Sequence, residues 1–349
     1  MNFAYFFIII ILSSCNPTSD EMSMIQSTGL TADNLVLNKL LFVSKDIGFI
    51  AGSSDKTSNN PNQNSDTFAF LKRTALLYKT TDGGKTWTGK TFGEGSFQNI
   101  IQVGTKIFLI KVSEENFYSF LFSSTDFGES WIQEASFPNV VTDIFVIENG
   151  LLVIGKNQKG IFQLSASSTA GKTWELLSSP LPIYDAIALN QKLFYLSSDS
   201  TSLSRKNLLV QYNLNDHTSK ILHLPAEFDC YFLTNFNNQI KFIGITNGHI
   251  AAYSLQKDDF IQHDYTCSNE SDFFPQGYYT KGNREWIIVG KRQGSYVSNK
   301  ILRTNDKGKN FETINFKKED YIKPFYFLTE NDQVTAWFYS GLGKFQILE

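Results

Sequence analysis

The chain has 349 residues and a formal net charge of −3, and charged residues make up only 19% of it. No run of basic residues interrupts that balance, so the electrostatic footprint that a nucleic-acid partner requires is missing. Aromatic residues reach 15%, with 31 Phe and 15 Tyr, and together with many Thr, Ile and Val they favour strands over helices.

The first element in chain order is a targeting segment. The apolar run from Phe3 to Leu12 has the length of a signal-peptide core. It falls well short of the roughly 20 residues that span a bilayer. It ends in Leu12-Ser13-Ser14-Cys15, which resembles a lipobox: an aliphatic residue, two small residues, then the Cys that becomes the lipidated N-terminus. One departure is that Met1-Asn2 brings no Lys or Arg ahead of the core. The resemblance divides the chain into a signal peptide (1–14), a polar tether (15–21) containing Pro17, and a single domain (22–349). It implies an exported protein of a bacterial cell envelope, held to the bilayer by an acyl group on Cys15. Export permits a disulfide between Cys230 and Cys267. Nothing in the sequence brings their Cα atoms together, so a bridge and two buried thiols both stay open.

Within the domain one octapeptide recurs. Thr80-Thr81-Asp82-Gly83-Gly84-Lys85-Thr86-Trp87 returns as Ser124-Thr125-Asp126-Phe127-Gly128-Glu129-Ser130-Trp131. It returns again as Ser167-Ser168-Thr169-Ala170-Gly171-Lys172-Thr173-Trp174, with Thr where the acid belongs. A fourth copy, Thr304-Asn305-Asp306-Lys307-Gly308-Lys309-Asn310-Phe311, carries Asn-Phe in place of Thr-Trp. Each reads as a tight turn between antiparallel strands. The Asp accepts hydrogen bonds from turn amides, the Gly supplies a backbone angle that other residues resist, and the aromatic packs between neighbouring sheets. Folding accounts for every part of the motif, so Asp82, Gly84, Trp87, Asp126, Gly128, Trp131, Gly171, Trp174, Asp306, Gly308 and Phe311 are assigned structural roles.

Spacing counts the units. Asp82 and Asp126 are 44 residues apart, Asp126 and Thr169 are 43 apart, and Thr169 and Asp306 are 137 apart, about three periods. Two units between the last two copies have lost the turn and kept the length. Four short strands are predicted in the first (183–189, 191–196, 208–213, 220–224) and four in the second (230–235, 240–245, 250–255, 260–265). Four strands in a period near 44 is the signature of a propeller. Six full units run from about Leu35 to Phe316, leaving only three strands at the end of the chain (323–329, 333–339, 343–348). The expected fold is therefore all-β: a seven-bladed propeller of four-stranded antiparallel blades, in which the N-terminal segment 22–28 supplies the outer strand of the last blade. Six and eight blades are the alternatives.

The repeated octapeptides resemble the Asp box, Ser/Thr-x-Asp-x-Gly-x-Thr/Ser-Trp, of the BNR repeat family. In style they are similar to the photosystem II assembly factor-like propellers, and next to sialidase-type and sortilin-type ones. The first resemblance implies a binding or assembly scaffold. A sialidase would need an arginine triad and an early Arg-Ile-Pro motif, because bidentate guanidinium groups clamp the substrate carboxylate. The five arginines here (73, 205, 284, 292 and 303) include no Arg-Ile-Pro. His217, His223, His249 and His263 lack metal-ligand spacing, so no metal, cofactor or catalytic residue is assigned.

Propeller topology nominates a surface. Links between blades and the loops joining second to third strands share one face, and the repeated turns lie on the other. The blade-to-blade links pair acids with aromatics: Glu94 with Phe97, Tyr184 with Asp185, Asp229 with Phe228, Asp272 with Phe273, Asp320 with Tyr321. The longer loops add Tyr118, Arg205 and Arg292. The candidate rim is thus Glu94, Tyr118, Tyr184, Asp185, Arg205, Asp229, Asp272, Arg292 and Tyr321, facing a protein or glycan ligand. The competing reading is that the aromatics fill gaps and the acids solvate loops. For the whole chain, a membrane-anchored binding scaffold is favoured, and a glycan-active hydrolase with atypical site residues is the alternative.

Overall fold

The computed structural model describes residues 24–27, 35–55, 73–113, 116–148, 150–177, 181–198, 208–236, 238–263, 273–281, 284–293, 296–306, 310–315, 324–330, 333–338 and 343–347. Cys15, the tether and Cys267 lie outside them. The described residues form an all-β fold of seven four-stranded antiparallel sheets. In chain order, the first sheet holds β2 (Leu35–Phe42), β3 (Gly48–Asp55), β4 (Arg73–Thr80) and β5 (Thr88–Glu94). The second holds β6 (Ser96–Val103), β7 (Lys106–Ser113), β8 (Tyr118–Ser124) and β9 (Ile132–Phe137). The third holds β10 (Val140–Ile147), β11 (Gly150–Lys156), β12 (Phe162–Ser167) and β13 (Glu175–Leu177).

The two sheets without the octapeptide follow the predicted strands closely. They are β14 (Asp185–Leu189), β15 (Lys192–Ser197), β16 (Leu208–Asn213) and β17 (Ser219–His223), then β18 (Phe228–Phe236), β19 (Gln239–Thr246), β20 (His249–Gln256) and β21 (Asp259–His263). The sixth sheet is β22 (Phe273–Lys281), β23 (Arg284–Gln293), β24 (Tyr296–Thr304) and β25 (Glu312–Asn315). The seventh takes β26 (Pro324–Glu330), β27 (Gln333–Phe338) and β28 (Gly343–Ile347) from the end of the chain and β1 (Met24–Ser27) from its beginning. Met24 pairs with Phe345 and Ser27 with Gly343. The first strand of each sheet touches the first strand of the next, and β26 returns to β2, so the first strands surround a common axis.

The cores lie between sheets, as a radial arrangement requires. Phe49 and Leu77 of the first sheet pack with Phe97, Ile100 and Leu109 of the second. Leu152 and Leu164 of the third pack with Tyr195 and Val210 of the fourth. The recurrent turns seal these boundaries. In the first, Thr80 Oγ1 donates to Asp82 Oδ1 at 2.8 Å and accepts from the Gly84 amide at 2.8 Å. Asp82 in turn accepts the Thr86 amide at 2.9 Å and the Thr86 hydroxyl at 2.6 Å. Trp87 Nε1 closes the turn on Gly84 O at 3.1 Å.

The departures from the motif keep the geometry. Thr169 Oγ1 accepts the Thr173 amide at 2.8 Å, so one hydroxyl does part of the work of a carboxylate. Asn310 reaches Asp306 through its amide at 2.9 Å and its Nδ2 at 2.7 Å. The aromatics of the second and third turns lean on the preceding sheet, Trp131 on Phe49 (6.3 Å between ring centres) and Trp174 on Phe137 (5.0 Å), while Trp87 meets Phe42 of its own sheet (6.2 Å). Phe311 packs against a cluster that includes Ile250. Gly128 combines two demands, since its φ is +80° and an added Cβ would sit 2.5 Å from the Phe49 ring. Gly308 lies outside the described residues.

Candidate functional site

Six of the seven axial strands carry a β-bulge near their beginning. The register shifts after Leu37, Phe97, Val141, Cys230, Pro275 and Pro324, while β14 runs without one. A bulge bends the strand and re-aims the side chains that follow. Here it delivers polar residues to the shared axial space. Asn38 Nδ2 donates to Phe97 O at 2.6 Å and Ser96 Oγ at 3.2 Å, tying the first sheet to the second. Asn99 Nδ2 donates to Asp143 Oδ1 at 3.4 Å, tying the second to the third. Lys39 of the first sheet acts electrostatically on Asp143 of the third, although those sheets are not neighbours in the ring. Asp143 is solvent-reached yet walled by protein. That desolvation pushes its carboxyl up, and the Lys39 ammonium and the hydrogen bonds of Thr142 and Asn99 pull it back.

Three of the axial bulges have a glycine behind them. Gly52, Gly155 and Gly244 of the second strands pair with Leu37, Val141 and Cys230, the residues just before three of the bulges. A Cβ on Gly52 would meet Val36 O at 2.1 Å, and one on Gly244 would meet Asp229 O at 2.1 Å. Sequence reasoning missed this device and the channel residues Asn38, Lys39, Asn99 and Asp143. A signal was present: a short apolar run ending in Gly recurs as Phe49-Ile50-Ala51-Gly52, Leu152-Val153-Ile154-Gly155 and Phe242-Ile243-Gly244.

The nominated rim residues fall into distinct environments. Tyr118 opens β8 and is 44% exposed, beside Phe117, which is 42% exposed and held at φ +53°. Tyr184, 46% exposed, shares a hydrogen bond of 3.1 Å with the Ser198 hydroxyl. Glu94 ends β5 in an exposed position and acts electrostatically on Lys111, whose ammonium donates to Phe92 O at 2.9 Å. Burial pushes the Lys111 ammonium down, and Glu94 opposes it. Asp229 is half-buried in β18 and raises the neighbouring Tyr231 hydroxyl, after burial itself.

Asp185 has a structural task. Its Oδ1 accepts the Ala186 amide at 3.0 Å and its Oδ2 accepts the Leu233 amide of the fifth sheet at 3.0 Å, a clamp between axial strands where β14 lacks a bulge. Asp272, Tyr321 and Arg205 lie outside the described residues, and Arg292 falls in β23. Cys230 is buried, with Sγ 3.5 Å from Phe232 O.

These features together, radial four-stranded sheets around a polar channel, define a β-propeller. Among solved structures the chain is similar to YCF48 bound to D1 peptide, with a TM-score of 0.65 at 14% identity over 95% of this chain and 96% of that one. It is also similar to the β-propeller domain of the Trilobed protease from Pyrococcus furiosus (TM-score 0.57, 11% identity, 87% of this chain and 91% of that one). An uncharacterized protein from Listeria monocytogenes EGD-e gives a TM-score of 0.58 at 11% identity over 93% of each chain. No family model and no curated protein matches the chain. At these identities the likeness shows the fold.

Proposed function

We propose that this protein is a membrane-anchored binding scaffold, a seven-bladed propeller of Asp-box repeats that recognises an extended peptide segment on its loop face. The observation that carries the reading is Phe117. A bulky side chain held in the left-handed region and left in solvent costs conformational energy without repaying it in packing. Two further exposed aromatics, Tyr118 of the second sheet and Tyr184 at the entrance to the fourth, belong to the same face, and Ile161, 57% exposed, lies in the β11–β12 loop of the third sheet between them. Rigid aromatic surface of this kind is what binding sites use for affinity. The peptide in the YCF48 structure supports a protein ligand over a glycan for a fold of this shape. Residues 1–14 are read as the signal peptide, Cys15 as the acylated residue, 15–21 as the tether and 22–349 as the propeller, which places the domain at a bacterial cell envelope.

The test uses the full-length chain, purified in detergent, to select from a displayed library of random peptides. The native protein should enrich a consensus, and the Phe117→Ser/Tyr118→Ser/Tyr184→Ser variant should fail to retain those peptides while melting at nearly the same temperature. Equal retention by the variant would remove the loop face from the reading. Asp185 stays unaltered in this experiment because its carboxylate joins two sheets.

A further inference from the structure

The repeated turns lie on the face opposite the loop face, and they differ in the residues that folding leaves free. At the fourth position of the octapeptide the first sheet has Gly83 and the third has Ala170, whereas the second has Phe127, 47% exposed and held at φ +54°. A bulky side chain is strained in that region of backbone space. Immediately after the turns stand Thr88, Glu175 and Glu312, but Ile132 in the second sheet, 67% exposed. One residue further on, where the other copies have Gly89, Gln133 and Thr313, the third sheet has Leu176, 65% exposed. Val146, 47% exposed, sits one pair short of the hairpin that ends β10. All four lie at the turn-face ends of two adjacent sheets. For the first three, the sister repeats show that the fold asks for no apolar side chain there.

The course of the chain supplies an occupant for this face. In the seventh sheet Gly343 pairs with Phe338, and Phe338 with Pro324, at the loop-face end. Glu330 and Gln333 close the hairpin at the other end. Ser27 is opposite Gly343 and Met24 opposite Phe345, so the chain enters β1 from the turn face. Cys15 is nine residues back from Met24, and even a fully extended link of that length spans no more than roughly 30 Å. With Cys15 acylated, the turn-face end of the seventh sheet is therefore held close to a bilayer. The second and third sheets lie two and three steps further round the ring, so a contact there fixes the tilt that one flexible link leaves free. Tethering makes this second contact intramolecular, and weak apolar contacts then suffice. The exposed Lys45, Lys85 and Lys172 of this face are outnumbered by exposed acids, Glu129 and Glu148 among them, so attraction to anionic lipid contributes little.

We infer that the turn face rests on a lipid bilayer, with Phe127, Ile132, Val146 and Leu176 entering the layer between headgroups and acyl chains. Apolar side chains set in a polar face suit that layer. The inference rests on the acylation of Cys15 proposed above and adds the orientation that acylation alone leaves open. The loop face is directed away from the membrane, so its peptide ligand arrives from the aqueous side.

The full-length chain, made in a bacterial host and reconstituted in phosphatidylcholine vesicles with and without chain-brominated phosphatidylcholine, tests this by tryptophan fluorescence. Flotation with the vesicles checks the anchor first; a chain that stays in solution removes the acyl reading and the inference with it. In floating protein, the emission that Phe127→Trp adds to the native spectrum should be lost to brominated lipid, in high salt as in low. The emission added by Phe117→Trp, on the loop face, should survive. Phe127→Ser/Ile132→Ser/Leu176→Ser should float and melt as the native chain does, and lose most of the lipid quenching of its tryptophans. Quenching of Phe117→Trp in place of Phe127→Trp, or of neither, would overturn the inference and leave the anchor standing. Shielding of the Phe127→Trp indole from acrylamide without quenching by lipid would assign the face to a second copy or another protein, which also overturns it.

Discussion

The Nζ of Lys241 lies 2.8 and 2.7 Å from the two carboxylate oxygens of Glu285, and the two side chains are 5% and 0% exposed. Lys241 belongs to the fifth sheet and Glu285 to the sixth, so the pair spans a boundary that no tryptophan of a preceding turn reaches. Tyr278 adds a hydroxyl to Glu285 at 2.8 Å and sets its ring 5.7 Å from the ammonium. Desolvation pushes the Lys241 ammonium down, and Glu285 opposes that shift.

Breaking this pair on one side strands a buried charge. Lys241→Met alone and Glu285→Gln alone should each destabilise the fold by about 3–5 kcal/mol. Replacing all three partners together, Lys241→Met/Glu285→Leu/Tyr278→Phe, should leave stability within about 1–2 kcal/mol of the native value, because an apolar boundary needs no compensation. Urea unfolding of the three variants measures this. Equal losses in the single and triple variants would mean that packing volume, not charge, governs the site.

The turn carboxylates make a pH-dependent contribution. The Thr86 hydroxyl and amide hold Asp82 down at about 2 from an ordinary 3.8, and the Ser130 and Ser124 hydroxyls hold Asp126 well below the usual carboxylate range. The folded-state values lie under the unfolded ones, so the stabilisation is complete above the ordinary carboxylate value and disappears as pH falls through the folded ones. Thr169 shows that a hydroxyl is tolerated in this position and cannot titrate there. An Asp82→Thr/Asp126→Thr variant should therefore melt below the native protein near neutrality and approach it between about pH 4 and pH 2. A gap in melting temperature that stays constant across that window would show that the carboxylates are not the titrating groups.

Gly52 and the bulge beyond Leu37 make a third prediction. The Cβ of Gly52→Ala would overlap Val36 O, and a backbone atom cannot swing aside as a side chain does. The cost should be about 1–3 kcal/mol, read from the urea midpoint. Gly160→Ala meets nothing within 4 Å and is opposed only by its φ of +74°, so it should cost less. The reverse order would indicate that the axial strand can shift to make room.

Much of this architecture is legible in the sequence. The octapeptides revealed their sheets because their key residues act on neighbours two to four positions away, as Thr80, Asp82 and Trp87 do. The pairing of residues 24–27 with 343–347 followed from a strand missing at one end and spare at the other. The rim was less readable. Tyr184 and Asp185 are adjacent in the chain, yet one is exposed and the other spends its carboxylate on Leu233 of the next sheet. The Lys39–Asp143 interaction and the Lys241–Glu285 pair were hidden for the same reason. Each joins residues about one or more repeats apart, and local pattern carries no information on which side chains a bulge turns inward.

Because Met24 pairs with Phe345, the seventh sheet is complete only when residues 24–27 have docked on β28. Until then β28 has an unclaimed edge, free to recruit any extended chain nearby. The docking of residues 24–27 therefore decides more than the count of strands: it withdraws from solvent a template on which foreign strands could grow.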